Sequence, residues 1–243
     1  MRRLYYIGLW FVGFTILLFM IFNSSKLKSV FMTVEQLPLA GHVIVLDPGH
    51  GGQDGGAVAK DKERTEEKEI TLEIAKMLRI YLEQAGAIVY LTRETDTDLA
   101  DPEMRGFSNR KSQDIRRRLQ FIHDSEADFF LSIHLNALPS SRWRGAQTFF
   151  YPSFEQNKQL ATTIQDEIIR QLENTTRVPL QLNNIYLLKY AKVPGALVEL
   201  GFLSNPEERE LLKQRTYQQQ LAASMYQGIL RYVEDPFAEE DES

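Results

Sequence analysis

The chain has 243 residues, enough for one domain with a sizeable hydrophobic core and short additional segments. Its formal net charge of −5, without a basic stripe, argues against non-specific binding of nucleic acid. The absence of cysteine excludes disulfide bonds and thiolate metal sites, and it leaves the redox compartment undecided.

The N-terminus is strongly apolar. After two arginines, 19 uncharged residues run from Leu4 to Phe22, and as a helix they would reach about 28 Å, roughly the hydrocarbon thickness of a bilayer. This run is longer than the apolar region of an ordinary signal peptide, and Asn23-Ser24-Ser25 is a poor cleavage site. We therefore predict an uncleaved membrane-spanning helix over residues 1–22, with a cleaved signal segment as the alternative. In both cases the rest of the chain is expected to be exported and to lie on the extracytoplasmic side.

The remaining chain divides into three parts. Residues 23–40 are mixed and polar, and we interpret them as a linker. Residues 41–233 are predicted to form the globular domain, and the acidic residues 234–243 are predicted to be a disordered tail.

Strand and helix patterns alternate along the domain. The predicted strands are His42–Leu46, Ala87–Thr92, Phe129–Ile133, Gly145–Tyr151, Ile185–Leu188 and Ala196–Leu200. The predicted helices are Glu67–Glu83, Arg110–Asp124, Glu155–Glu173, Pro206–Lys213 and Tyr217–Val233. This alternation predicts an α/β fold: a single domain with a mostly parallel, twisted sheet covered by helices on both faces.

Polar residues at strand ends are the first candidates for function, because such sheets bind ligands beyond the carboxyl ends of their strands. His50 follows the first strand, inside the glycine-rich turn of VIVLDPGHGG, and His134 follows the third strand. Glu199 ends the last strand, where a buried carboxylate is costly unless it is paired or functional. Each residue alone also has a structural interpretation, but their agreement at three strand ends favours one shared site.

Helix geometry adds a carboxylate to this group. The first helix has an apolar stripe at a spacing of four residues: Ile70, Ile74, Leu78 and Leu82. At about 100° per residue, Glu67 projects near the centre of this stripe, whereas Glu66 and Glu69 point elsewhere. Two histidines, one carboxylate and an open fourth position are the ligand set of a catalytic zinc site, so we predict His50, Glu67 and His134 as metal ligands.

Other polar residues have weaker claims. Asp47 could orient a ligand or could form the turn before Pro48. Arg93 and Arg118 are expected to pair with acidic side chains, and His42 and His123 are expected to be solvated or capping. The acidic residues within 93–108 lack the EF-hand pattern of a calcium site and are interpreted as a solvated, exposed loop.

Four motifs carry a family resemblance. VIVLDPGHGGQDGGA, EKEITL, LSIHLNA and ALVELGFLSNPEE, in this order, closely resemble the zinc-dependent N-acetylmuramoyl-L-alanine amidases of type 3. The resemblance covers Val43 to Tyr232. It implies that His50, Glu67 and His134 bind zinc and that Glu199 is the catalytic acid/base. The implied substrate is peptidoglycan, cut at the amide bond between the lactyl group of N-acetylmuramic acid and L-alanine.

Further phrases are similar to the germination-specific, spore-cortex members of this family in endospore formers: TRETDTDLA, HLNALPS and LENTTR. That similarity implies that the enzyme catalyses a step toward muramic lactam. The implied partners are a deacetylase that acts next or a regulatory protein. A stretch at 99–109 is longer than the corresponding loop of ordinary autolysins, and no wall-binding repeats accompany the domain. The alternatives are a zinc carboxypeptidase or endopeptidase on the stem peptide, and a non-catalytic, membrane-tethered wall-binding domain.

Overall fold

A computed structural model describes residues 3, 6–20 and 37–234 of the chain. Residues 6–20 are helical. Within the described ranges no helix has both the length and the apolar character needed to cross a membrane, so the spanning helix predicted over 1–22 is not confirmed. The rest of that segment, most of the predicted linker and the predicted tail after residue 234 lie outside the described residues.

Between residues 37 and 234 the chain forms six strands and six helices. The strands are β1 (Val43–Pro48), β2 (Ile88–Leu91), β3 (Phe129–Asn136), β4 (Gln147–Phe150), β5 (Leu180–Gln181) and β6 (Gly195–Phe202). The helices are α1 (Glu67–Gln84), α2 (Phe107–Asp124), α3 (Glu155–Leu172), α4 (Tyr186–Tyr190), α5 (Pro206–Leu212) and α6 (Arg215–Glu234).

The strands form one mixed sheet in the order β2-β1-β3-β6-β4-β5. β4 runs antiparallel to β6, and the other neighbouring strands are parallel. The predicted mostly parallel α/β domain is therefore confirmed. The strand predicted at Ile185–Leu188 is wrong: this segment enters helix α4, where Leu187 and Leu188 are buried. A short buried apolar run does not by itself distinguish a strand from a helical turn.

Helices cover both faces of the sheet, as predicted. Ile44 and Leu46 of β1 pack into a core with α1, α3 and α6, whereas Val45 packs into a second core with α2 and α4. Successive side chains of a strand point to opposite faces, so a strand covered on both faces is apolar at nearly every position. Both cores hold β1 and β3 firmly, and these strands carry two of the candidate site residues at their ends.

The turn at residues 37–40, which belongs to the predicted linker, packs against the end of α1. Leu39 is fully buried, and its amide donates a hydrogen bond to the Ala85 carbonyl at 2.9 Å. Gly86 has a positive φ of +99°, and a Cβ there would lie 2.8 Å from the Leu37 Cβ. A glycine therefore permits this close approach.

Candidate metal and catalytic site

His134 and Glu199 are neighbours across the centre of the sheet. β3 and β6 pair in parallel with His134 opposite Glu199, and the register shifts just beyond them, before Asn136. Adjacent strands lie about 4.8 Å apart, so the two side chains leave the sheet side by side. Both strands run further than their predicted ends. His134 therefore lies within β3 rather than after it, and Glu199 lies near the carboxyl end of β6, as predicted.

The His50 turn follows β1 and has an unusual backbone. His50 itself has a left-handed conformation, with φ of +63°, and Gly51 follows with φ of +134°. A left-handed non-glycine residue is strained by roughly 1–3 kcal/mol and persists only where its surroundings fix it. Gly49 is needed for a different reason: a Cβ there would lie 2.3 Å from Cε1 of His134. The turn thus brings the two histidine rings together, with centroids 5.0 Å apart.

Two buried arginines fix this turn through its carbonyl oxygens. Arg93 donates from Nε to the Pro48 carbonyl and from Nη2 to the Gly49 carbonyl, both at 2.9 Å. Arg118 donates to the Pro48 carbonyl at 2.8 Å and to the His50 carbonyl at 2.5 Å. These charge-assisted hydrogen bonds satisfy carbonyls at the end of β1 and in the turn, and they hold the strained backbone of His50 in place.

Asp47 anchors one of these arginines. Its buried carboxylate lies 2.8 Å from Arg118 and accepts hydrogen bonds from Thr92 at 2.6 Å and Ser132 at 2.7 Å. Burial alone would raise the pKa of Asp47, but the Arg118 charge and the two hydroxyl groups outweigh it and lower the pKa to about 2. The predicted pairing of Arg118 with acidic side chains is confirmed by Asp47 and by Asp114 at 2.9 Å, whereas Arg93 binds mainly carbonyl oxygens.

Glu67 meets both histidines from the first turn of α1. Its Oε1 lies 3.2 Å from His50 Nε2 and 2.9 Å from His134 Nδ1. Backbone amides of Ala57 and Leu135 also donate to its carboxylate, at 2.7 and 2.9 Å. Burial opposes ionisation of Glu67, but the hydrogen bonds to His134 and His50 outweigh it and hold its pKa below the usual range.

These three residues could hold a metal ion. One atom each of His50, Glu67 and His134 can be chosen so that all lie within 4.8 Å of one another. The helix phase correctly places Glu67 inward, since Glu67 is buried and Glu69 is exposed. Two imidazole nitrogens and a carboxylate oxygen are donors that suit zinc, and no thiolate is present to close the site.

Asp54 orients His50 and is not among the predicted site residues. Its Oδ2 lies 2.9 Å from His50 Nδ1 and 2.9 Å from Lys111 Nζ, and the Gly56 amide donates to its other oxygen at 3.1 Å. Burial would lower the pKa of His50, but the hydrogen bonds to Asp54 and Glu67 raise it to about 9. In metal-binding histidines, the ring nitrogen that does not bind the metal often donates a hydrogen bond to a carboxylate.

Glu199 differs from Glu67 in the surroundings of its carboxyl group. Its Oε2 atom is buried and has no hydrogen-bond partner within the described part of the chain. Burial raises the pKa of Glu199 to about 7; the His134 charge opposes this shift and the Glu67 charge adds to it. A carboxyl group with a pKa near neutrality beside candidate metal ligands suits proton transfer.

The acidic loop before α2 packs on the His50 turn and is more than a solvated rim. Asp96 accepts hydrogen bonds from the Gly52 amide and from Lys68 Nζ, both at 2.8 Å. Asp98 has a 5% exposed side chain and forms an ion pair with Arg110 at 2.7 Å. The loop is therefore tied both to the turn and to α2.

The other two histidines are not candidate ligands in the structure. His42 precedes β1 and lies 3.4 Å from the Asp128 carboxylate, and its side chain is partly exposed. His123 lies in the last turn of α2. Neither belongs to the group of possible metal ligands found among the described residues. The Nε2 atom of His123 is buried and has no hydrogen-bond partner within the described part of the chain, so the structure does not support a solvated or capping role for it.

Comparisons with known proteins converge on one family. The family model described as N-acetylmuramoyl-L-alanine amidase matches residues 44–231. The chain is 49% identical over 221 residues to the germination-specific N-acetylmuramoyl-L-alanine amidase of Bacillus subtilis (strain 168), which covers 91% of this chain and 92% of that relative.

Solved structures give the same result. The CwlD amidase from Clostridioides difficile, solved in complex with the GerS lipoprotein, is 40% identical with a TM-score of 0.77, covering 80% of this chain and 99% of that one. The N-acetylmuramoyl-L-alanine amidase from Clostridium difficile 630 is 30% identical with a TM-score of 0.70, covering 81% and 98%. The fold and the motif-bearing region are thus shared with these enzymes.

Proposed function

The chain belongs to the N-acetylmuramoyl-L-alanine amidase family, and we propose that it works with a zinc ion held by His50, Glu67 and His134. The bond cut is the amide between the lactyl group of N-acetylmuramic acid and L-alanine of the peptidoglycan stem peptide. The observation that carries the proposal is the convergence of His50 Nε2, His134 Nδ1 and Glu67 Oε1 beside a carboxyl group, Glu199, that has no hydrogen-bond partner at Oε2 within the described residues.

The donor set fits zinc, and the surroundings fit the donors. Asp54 holds His50 by Nδ1, which leaves Nε2 for the metal. Backbone amides fix the Glu67 carboxylate, so this ligand is held in place before any ion arrives. When bound, zinc would polarise the scissile carbonyl and lower the pKa of the attacking water.

Glu199 is the proposed acid/base. In its ionised form it accepts a proton from the attacking water, and in its protonated form it donates that proton to the nitrogen of the leaving L-alanine. A pKa of about 7 allows both states near neutrality. Its register position opposite His134 places it beside the proposed ligands, and it is not among the possible metal ligands found in the described residues.

The proposal is tested with Glu199→Ala in the full chain, assayed on purified peptidoglycan while bound zinc is measured. Loss of general acid/base catalysis predicts at least a hundredfold slower cleavage with zinc retained. Glu67→Ala should lose both zinc and cleavage, and Glu69→Ala, an exposed change on the same helix, should lose neither. Wild-type cleavage by the Glu199 variant would remove that residue from its role.

Product analysis separates the amidase from the other zinc peptidases that use similar ligands. The amidase frees the amino group of L-alanine and leaves intact lactyl-muramic acid. Release of D-alanine or of peptide fragments would instead indicate a carboxypeptidase or endopeptidase, and binding without any cleavage would indicate a wall-binding domain.

We place this activity in the spore cortex, as a step toward muramic lactam, because of the similarity to the germination-specific relative. We further propose that residues 1–22 anchor the exported domain 41–233 on the extracytoplasmic side of a membrane, joined by the linker 23–40.

The complex of the Clostridioides difficile relative with a lipoprotein supports a lipoprotein as regulatory partner of this chain, in addition to a deacetylase acting next. Normal muramic lactam content in the cortex of a deletion strain would contradict the assignment.

A further inference from the structure

One loop passes over the strand end that carries Glu199. β3 ends at Asn136, shortly after His134, and β4 begins at Gln147, which pairs with Glu199 on β6. Because β6 lies between β3 and β4 in the sheet, the connection between them must cross the carboxyl end of β6. We refer to residues 137–146 as the crossing loop. Both of its ends are fixed beside the site.

Side chains that follow β6 hold the middle of the crossing loop. The Leu138 amide donates to the Ser204 hydroxyl at 3.1 Å. The Asn205 side-chain amide donates to the Ser141 carbonyl at 2.9 Å, while the Asn205 oxygen caps α5. These contacts tie the loop to the segment that leaves the Glu199 strand.

The end of the crossing loop is held by a buried carboxylate. Glu208 accepts hydrogen bonds from the Gly145 and Phe202 amides, both at 2.8 Å, and so joins the loop to the end of β6. Arg177 donates to the carbonyls of Arg144 and Gly145 at 2.6 and 2.7 Å. The loop backbone is thus bound at several points along its length.

This fixed backbone presents an exposed aromatic ring. The Trp143 residue is 43% exposed, and the guanidinium of Arg142 lies 5.5 Å from its ring centroid. Single exposed apolar residues are common on protein surfaces. Trp143 differs because its loop is anchored, borders the proposed acid/base and carries a cation beside the ring. A rigid ring of this kind contributes contact area at little entropic cost when it binds a ligand.

Resting on the amidase function proposed above, we propose that Trp143 binds a saccharide ring of the glycan strand that flanks the muramic acid being cleaved. The apolar C–H face of a pyranose matches the flat face of an indole, and its hydroxyl groups can accept hydrogen bonds from Arg142. A stem peptide fits this surface less well, because a flexible chain offers no flat face and must be ordered on binding.

Fluorescence tests this contact directly, because the chain has only two tryptophans, Trp10 and Trp143. In the full chain carrying Trp10→Phe, Trp143 is the sole indole. Titration with peptide-free glycan oligosaccharides should change its emission saturably, and titration with free stem tetrapeptide should not. A response to the peptide alone, or to neither probe, overturns the proposal. This measurement needs no cleavage, so it separates failure of the subsite from failure of the amidase function.

Kinetics provide the second test. Trp143→Ala should raise KM about 3–10-fold on glycan strands that carry stem peptides, with kcat unchanged, and should leave a single N-acetylmuramoyl peptide unaffected. Trp143→Phe keeps an aromatic ring and should therefore raise KM much less than Trp143→Ala does. The control is Tyr190→Ala, a half-exposed ring in α4 near the amino end of β6, which should change neither parameter. An equal loss on both substrates, or no loss on either, overturns the proposal.

Discussion

Two glutamates at the same edge of the sheet have pKa values that are shifted in opposite directions. Glu67 accepts hydrogen bonds from two imidazoles and two backbone amides, and its pKa lies below the usual range. Glu199 has a buried oxygen with no partner among the described residues, and burial raises its pKa to about 7. Burial removes both carboxylates from water, so the difference between their pKa values comes from their hydrogen-bond partners and neighbouring charges. The contrast supports the proposed roles of Glu67 as the anionic ligand and Glu199 as the proton carrier.

The same contrast extends to the surroundings. On the ligand side, which comprises the His50 turn and Glu67, the turn carbonyls accept hydrogen bonds from arginines, His50 Nδ1 contacts Asp54, and the Glu67 carboxylate accepts from backbone amides. On the base side, the end of β6 around Glu199, strand pairing fixes the backbone, while one buried carboxylate oxygen has no hydrogen-bond partner in the part of the chain that the structure describes. The proposed ligands are therefore held rigidly by hydrogen bonds, whereas the carboxyl group proposed to exchange a proton is destabilised in its ionised form by burial.

The largest expected effect comes from breaking the support of the ligand side with Arg118→Met. This change leaves the Asp47 carboxylate buried without its cation and frees the carbonyls of Pro48 and His50. Breaking a buried pair in this way costs about 3–5 kcal/mol in the free energy of unfolding, measured by denaturant titration. The matched control is Arg117→Met, whose 43% exposed side chain pairs with Asp101 and should cost less than about 1 kcal/mol. Equal losses for the two variants would show that the buried network does not support the fold.

On the base side, Glu199→Gln should stabilise the metal-free protein. The folded pKa of about 7 lies above the ordinary value of 4.5 for a glutamate, so ionisation of Glu199 opposes folding. Below about pH 4.5 Glu199 is protonated in both the folded and the unfolded state, and the wild-type protein keeps its full stability. This stability is lost as the pH rises through about 7, where the buried carboxyl group ionises. The variant should therefore gain about 3 kcal/mol at pH 8 and almost nothing at pH 4. Unfolding curves at both pH values check this, and a gain that does not depend on pH would contradict the unpaired carboxylate.

A smaller effect should follow from Asp54→Asn, which weakens the orientation of His50 without touching a ligand atom. Loss of such a partner lowers metal affinity about 10–100-fold, and zinc competition with a chelator measures it. Lys111→Met leaves Asp54 in place and removes only a partly exposed cation, so its loss should be smaller. If both variants bind zinc like the wild type, Asp54 has no part in holding the ligand side.

The main residues of both sides could be predicted from the sequence, but the support of His50 could not. Helix phase selects Glu67, because a charged residue on an apolar stripe must point inward, and the structure buries it. His134 and Glu199 fall at strand ends, where parallel topology brings side chains to one edge. Asp54 gives no such signal, since its contact with His50 depends on the local turn closed by Gly51 and Asp54.

The errors concern elements that local pattern does not define. The short apolar run at Ile185–Leu188 is equally compatible with a strand and with the helical turn that α4 forms. The two-residue strand β5 carries no periodicity, and the direction of β4 depends on the path of the crossing loop. The carbonyl contacts of Arg93 also escape prediction, because backbone acceptors leave no mark in a sequence.

The spacing of the candidate ligands affects more than catalysis. His50, Glu67 and His134 lie far apart along the chain and belong to a turn, a helix and a strand. An unfolded chain therefore offers no ready chelate, and zinc would bind the native state almost exclusively. At a free concentration 1,000-fold above its Kd, such an ion adds about 4 kcal/mol to stability. Metal starvation would then expose the chain to proteolysis, so that abundance as well as turnover would follow the metal supply.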